Sequence, residues 1–69
     1  MITLYSTHCP RCKIIEMKLA QKQIDFEMID DTDEIVELGN RIGIRTAPIL
    51  KVDDQYLDFP AAVKWINER

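Results

Sequence analysis

The sequence predicts an α/β fold, with a central four-stranded mixed sheet flanked by helices in the order β-α-β-α-β-β-α. Three observations predict it. Short runs rich in β-branched and aromatic residues alternate with longer stretches whose apolar residues recur at helical spacing. Residues suited to helix ends stand at the junctions: Pro10, the Asp31 and Glu34 pair, Gly43 and Pro60. A polar turn, Asp53-Asp54, separates the last two strand-like runs and marks a hairpin.

The elements follow in order. Ile2–Tyr5 is the first strand, and Ser6 and Thr7 turn the chain. The first helix runs from Pro10 to Lys22, because proline suits a first helical position where a missing N–H costs nothing. Cys12, Ile15 and Leu19 share one face of it. Ile14 and Met17 widen that stripe, Met17 as core filler, while Lys13, Glu16, Lys18, Gln21 and Lys22 face water. Asp25–Asp30 alternates as a second strand, with Phe26, Met28 and Asp30 on one side. The acidic run Asp31-Thr32-Asp33-Glu34 then opens the second helix. Asp31 and Glu34 fit an acidic capping box beside the positive helix end, so the run needs no calcium.

That helix carries Ile35, Val36, Leu38 and Ile42 inward and stops at Gly43, suited to a left-handed terminal residue. Pro48 cannot donate to a sheet ladder, so it belongs at the bend that starts the third strand, Ile49–Val52. Gln55–Asp58 returns as the fourth strand. Pro60 opens the last helix, with Asp58 or Phe59 just outside it and Ala61, Val63, Trp65 and Ile66 as its apolar positions. Two βα units call for parallel strands and right-handed crossovers, and the hairpin adds an antiparallel edge.

Composition sets the remaining bounds. The 69 residues amount to one domain, 1–69, and with no second disulfide it must build a compact apolar core. Apolar residues make up 46% of the chain and there are only two glycines, so it can. Charges of both signs are interspersed and the net charge is −3, which argues against nucleic acid as a partner. No apolar run reaches membrane-spanning length, and no basic stretch leads into a long apolar one at the N-terminus. The expected setting is cytoplasmic and the expected state monomeric. In that compartment an isolated CxxC pair is usually catalytic or redox-sensing.

Both cysteines lie in His8-Cys9-Pro10-Arg11-Cys12, between the first strand and the first helix. Cys9 therefore meets the unpaired N–H groups of a first helical turn, which favour thiolate over thiol. Cys12 follows three residues later, within reach for a disulfide. This is the layout of a reversible dithiol switch. Other readings exist. Half of a zinc site is one, but with His8 the chain offers three nearby ligands where zinc takes four. A structural disulfide would close too short a loop to remove much chain entropy. Two buried apolar thiols fit poorly beside His8 and Arg11. Arg11 can favour the Cys9 thiolate or be a solvated charge; His8 can modulate Cys9 or be incidental.

The element order, Cys9-Pro10-Arg11-Cys12 after the first strand and Thr46-Ala47-Pro48 before the third resemble the glutaredoxin branch of the thioredoxin fold. The resemblance covers essentially the whole chain. The tract from Tyr5 to Cys12 is similar to a small bacterial or phage glutaredoxin. It implies a thiol–disulfide oxidoreductase with no bound cofactor or metal, with Cys9 as exposed nucleophile and Cys12 as resolving thiol. It also implies a cis bond before Pro48, placing the Ala47 backbone beside Cys9 to pair with an incoming disulfide substrate. Pro10, Arg11, Arg45, Thr46, Ala47, Pro48 and Asp58 are the substrate-binding residues this implies.

The chain departs from that family at the last helix. Glutaredoxins with a Gly-Gly pair there hold a carboxylate of glutathione on free helix N–H groups. Here the stretch is Leu57-Asp58-Phe59-Pro60-Ala61: Pro60 has no N–H, and Asp58 can occupy the anion site itself. Arg41 and Arg45 remain for a carboxylate. Glutathione is thus one candidate reducing co-substrate and thioredoxin reductase the other. The partners expected are disulfide-containing proteins, ribonucleotide reductase among them as a dedicated acceptor. A carrier of iron–sulfur clusters or zinc is the reading from another class, with proline after Cys9 and the second cysteine against it.

Overall fold

The computed structural model describes residues 1–69. Seven elements follow one another: β1 (Ile2–Tyr5), α1 (Pro10–Gln21), β2 (Glu27–Ile29), α2 (Thr32–Ile42), β3 (Ile49–Val52), β4 (Gln55–Leu57) and α3 (Phe59–Asn67). The strands form one sheet in the order β2-β1-β3-β4. β1 runs parallel to β2, with Leu4 opposite Met28. It runs antiparallel to β3, with Leu4 opposite Leu50, and β3 and β4 form the hairpin expected around Asp53-Asp54.

The two-residue period of the strands divides the core between the sheet faces. Leu4 and Leu50 join Ile15 and Leu19 of α1 and Ala62 and Ile66 of α3 on one face. Their neighbours Tyr5 and Ile49 join Ile35 and Leu38 of α2 on the other. Burial, with Tyr56 adding to it, pushes the Tyr5 phenol pKa up, so the ring packs as a neutral group.

Capping explains the helix starts. Asp31 stands in extended conformation before α2 and accepts the Glu34 N–H at 3.2 Å, and Gly43 ends α2 at φ 80°. α3 starts one residue before Pro60, because Asp58 caps it and accepts the Ala61 N–H at 3.0 Å. β4 accordingly stops at Leu57. α1 ends at Gln21 with Lys22 as its cap, and β2 is shorter than expected, with Phe26 packing on the core just ahead of it.

Three expectations need correction. β3 is antiparallel to β1, so the second βα unit is not a parallel crossover. The reason lies after α2: Gly43 reverses the chain, and the backbone then runs back against Gly39, where the Ile44 carbonyl packs directly over the glycine. That return brings β3 in at the end of the sheet where β1 finishes. Val36 is not inward; it is 57% exposed. Met17 is not core filler but 61% exposed, and Ile14 is exposed beside it, so the buried face of α1 is the narrow row Cys12, Ile15 and Leu19. In α3 the buried positions are Ala62 and Ile66.

Candidate active site

Cys9 is the residue from which α1 hangs. It is extended (φ −73°, ψ 167°) and caps the helix with sulfur: the Cys12 N–H donates to Cys9 Sγ at 3.3 Å. Pro10 follows as the first, exposed helical residue, and the Lys13 N–H donates to the Cys9 carbonyl at 3.0 Å. The two sulfurs share a hydrogen bond at 2.7 Å, both as free thiols. Cys9 is half-buried, whereas Cys12 is fully buried at the foot of the same turn.

Burial works against a charge on Cys12. Hydrogen bonds from the Cys9 thiol, the Thr7 backbone and the Ser6 hydroxyl outweigh it, so the Cys12 thiol is held below its ordinary pKa. Of the two sulfurs, Cys9 Sγ is the one with an outlet to solvent.

The support under the dithiol comes from residues that sequence reading passed over. Ser6 is fully buried; its N–H donates to the Ile29 carbonyl at 3.0 Å and its hydroxyl to Glu16 Oε2 at 3.4 Å. Ser6 Oγ also accepts the His8 N–H at 3.1 Å. Thr7 Oγ1 lies 3.9 Å from Cys12 Sγ. Two hydroxyls next to a CxxC were a signal of such support, since a buried junction needs polar partners. His8 takes a left-handed conformation, φ 61°, uncommon outside glycine. Its ring reaches Asp30 Oδ2 at 3.4 Å and so turns towards the end of β2.

The segment before β3 completes the site. The Ala47–Pro48 peptide is cis, as the resemblance implied, Pro48 is buried, and the Ala47 carbonyl lies 3.9 Å from Cys9 Sγ. Thr46 and Arg45 are exposed next to it. On the opposite flank, the Arg11 guanidinium lies over the Phe59 ring, 5.4 Å from its centroid, and ties the start of α1 to the start of α3. Asp58 stands at that start with its carboxylate already engaged by Ala61.

Arg41 is not brought to this site. It reaches Glu37 Oε1 at 3.8 Å and lines a separate hollow with Tyr5 and Tyr56. No group of three or more His, Cys, Asp or Glu side chains is placed to hold a metal ion. No helix is long and apolar enough to cross a membrane.

No family model matches the chain. Two relatives do, each called glutaredoxin-like protein NrdH, from Lactococcus lactis subspecies lactis and cremoris. Each is 37% identical over 57 residues, which span 78% of this chain and 79% of the relative. The chain belongs to the NrdH glutaredoxin-like family. A solved structure agrees: that of the glutaredoxin-like protein NrdH-redoxin from Escherichia coli, described as having a thioredoxin-like activity profile. It superposes with a TM-score of 0.80 at 27% identity, over 97% of this chain and 91% of that one. The fold is therefore thioredoxin-like, and this member of the NrdH family is a dithiol thiol–disulfide oxidoreductase acting on disulfide-containing partners.

Proposed function

We propose that Cys9 is the nucleophile and Cys12 the resolving thiol, and that the oxidised protein is recharged by thioredoxin reductase in preference to glutathione. The Cys9 thiolate attacks one sulfur of a substrate disulfide. The Cys9–substrate bond forms, the substrate S–S bond breaks, and the departing thiolate takes up a proton. Cys12 then loses its proton and attacks the Cys9 sulfur. The second substrate thiol is released, and two electrons have passed from the dithiol to the substrate. The observation that carries these roles is the 2.7 Å sulfur pair with one sulfur half-exposed and the other fully buried. Thr46 and Ala47 offer backbone to the incoming chain, Pro48 ends the ladder there, and Pro10 and Arg11 form the opposite lip.

Three features support the choice of reductant. Asp58 already accepts the Ala61 N–H that a glutathione carboxylate would use, Pro60 has no N–H, and Arg41 lies elsewhere. A related protein is also described as having a thioredoxin-like activity profile. The physiological acceptor in this reading is ribonucleotide reductase, met by a single-domain monomer in a reducing, cytoplasmic compartment. The test is to oxidise the protein and follow its reduction by NADPH with thioredoxin reductase, and separately by glutathione. Fast reduction with the reductase and slow reduction with glutathione is the expected result; the reverse order overturns this assignment.

A further inference from the structure

A hollow of about 320 Å³ lies between α2 and the sheet, and the exchange of disulfides makes no use of it. Glu34, Glu37, Leu38 and Arg41, which share one face of α2, form one wall. Tyr5 of β1 and Tyr56 of β4 form the other. None of the six belongs to the cysteine loop or to the segment that carries the cis proline.

Tyr5 is the unusual member. It is only 9% exposed and its ring packs with Ile35, Leu38 and Ile49. Its hydroxyl has no hydrogen-bond partner within the chain. Every side-chain oxygen or nitrogen that is shut off from solvent does have one, so the Tyr5 hydroxyl opens into the hollow that it lines. Burial raises its pKa most, Tyr56, Glu34 and Glu27 add to that, and Lys51 opposes it. The phenol is therefore a neutral group whose oxygen can accept a hydrogen bond.

The charges around that hydroxyl select the sign of a ligand. Arg41 reaches Glu37 at 3.8 Å, and the Lys51 ammonium lies over the Tyr56 ring, 5.6 Å from its centroid. Glu34 is in no ion pair. Two carboxylates against one guanidinium leave the lining net negative, so an anion meets Glu34 unopposed while a cation is drawn to it. The volume sits at the low end of the ~300–1,000 Å³ usual for ligand sites, enough for one group the size of a side chain.

We propose that this hollow binds a guanidinium or primary ammonium group, with Glu34 as its counter-ion and the Tyr5 hydroxyl oxygen accepting one of its N–H bonds. A free polyamine and an arginine or lysine side chain of a polypeptide both carry such a group. Each offers several N–H donors, enough for a carboxylate and a phenol oxygen together.

The test titrates the full, reduced chain by amide-resolved NMR with two cations, spermidine and N-acetyl-arginine methylamide. Inorganic phosphate and the uncharged N-acetyl-citrulline methylamide, nearly the same shape as the arginine derivative, are the controls. Both cations should shift the amides of Glu34, Glu37, Arg41 and Tyr56 to saturation, and neither control should. Tyr5→Phe and Glu34→Gln should each weaken that binding about tenfold. Both variants should reduce 2-hydroxyethyl disulfide at the wild-type rate, which shows the fold intact. Tighter binding of the arginine derivative assigns the cation to a polypeptide, tighter binding of spermidine assigns it to a free polyamine, and either result upholds the site. No saturable shift with either cation, equal shifts with the citrulline derivative, tighter binding of phosphate, or undiminished binding in either variant overturns it.

Discussion

The helices α1 and α3 begin in the same way and end up with opposite chemistry. Each is preceded by an extended residue, Cys9 at φ −73°, ψ 167° and Asp58 at φ −77°, ψ −175°. Each of these accepts the N–H three residues on, and each helix has a proline in its first turn. The backbone is nearly identical; the capping atom is not. The carboxylate oxygen of Asp58 takes the Ala61 N–H at 3.0 Å and fills the anion position at that helix start. Sulfur at Cys9 takes the same N–H at 3.3 Å, remains half-exposed and can form a covalent bond. A helix start thus presents a reactive anion or consumes the anion site, according to one side chain. Arg11 over Phe59 shows that the two starts are neighbours, so a substrate at Cys9 approaches both.

The strongest way to break the comparison is Cys9→Ser. Serine caps a helix well, so stability should stay within about 0.5 kcal/mol, while disulfide reduction falls to background. Cys12→Ser should instead accumulate a mixed disulfide visible by intact mass spectrometry; equal loss in both variants without a trapped adduct contradicts the two roles. Next in size is Gly39→Ala. A methyl group there meets the Ile44 carbonyl and must displace the chain that delivers Ala47 to Cys9. Thermal unfolding should reveal a loss of about 1–3 kcal/mol, and single-turnover reduction should slow with it.

Asp58→Gly makes the third helix start resemble an open one. Removing the carboxylate and freeing the Ala61 N–H should raise glutathione affinity about tenfold, at a stability cost of only a few tenths of a kcal/mol. Titration on the Cys12→Ser background reads it, and no gain would mean that Asp58 does not guard the site.

The smallest effect is on stability against pH. The folded Cys12 thiol is held below its ordinary pKa, so the native state gives up a proton that the unfolded chain keeps. That contribution is complete above the ordinary thiol value of ~8.5 and is lost as pH falls through the lower folded value. Reduced wild type should therefore gain stability between neutral pH and about pH 8.5, and Cys12→Ser should show no such gain in urea unfolding.

Local strings in the sequence made much of this legible. The strand-to-CxxC junction, the Asp31 cap and the Gly43 stop depend on residues within one turn of each other, and all stand where expected. What depended on distant partners did not show. Helical spacing placed Val36 and Met17 inward because periodicity gives the direction of a stripe but not the width of the surface that covers it. The direction of β3 hung on Gly39, and an isolated glycine inside a helical pattern was a hint that another backbone comes close. Arg41 and Arg45 looked interchangeable in sequence, yet the reversal at Gly43 sends them to separate hollows. Ser6 read as a turn residue because its burial is decided by Glu16 and Ile29.

The position of β1 has a consequence for exchange of amide protons with solvent. It is the strand hydrogen-bonded on one side to β2 and on the other to β3, and Leu4 at its centre is fully buried. Its inner amides should exchange only when the whole molecule opens, while those of the edge strands β2 and β4 exchange through local fraying. The cysteine loop is therefore tethered to the slowest-exchanging part of the chain. A mixed disulfide formed at Cys9 should leave the protection of β1 unchanged, and any loosening during turnover should register first at residues 44–47.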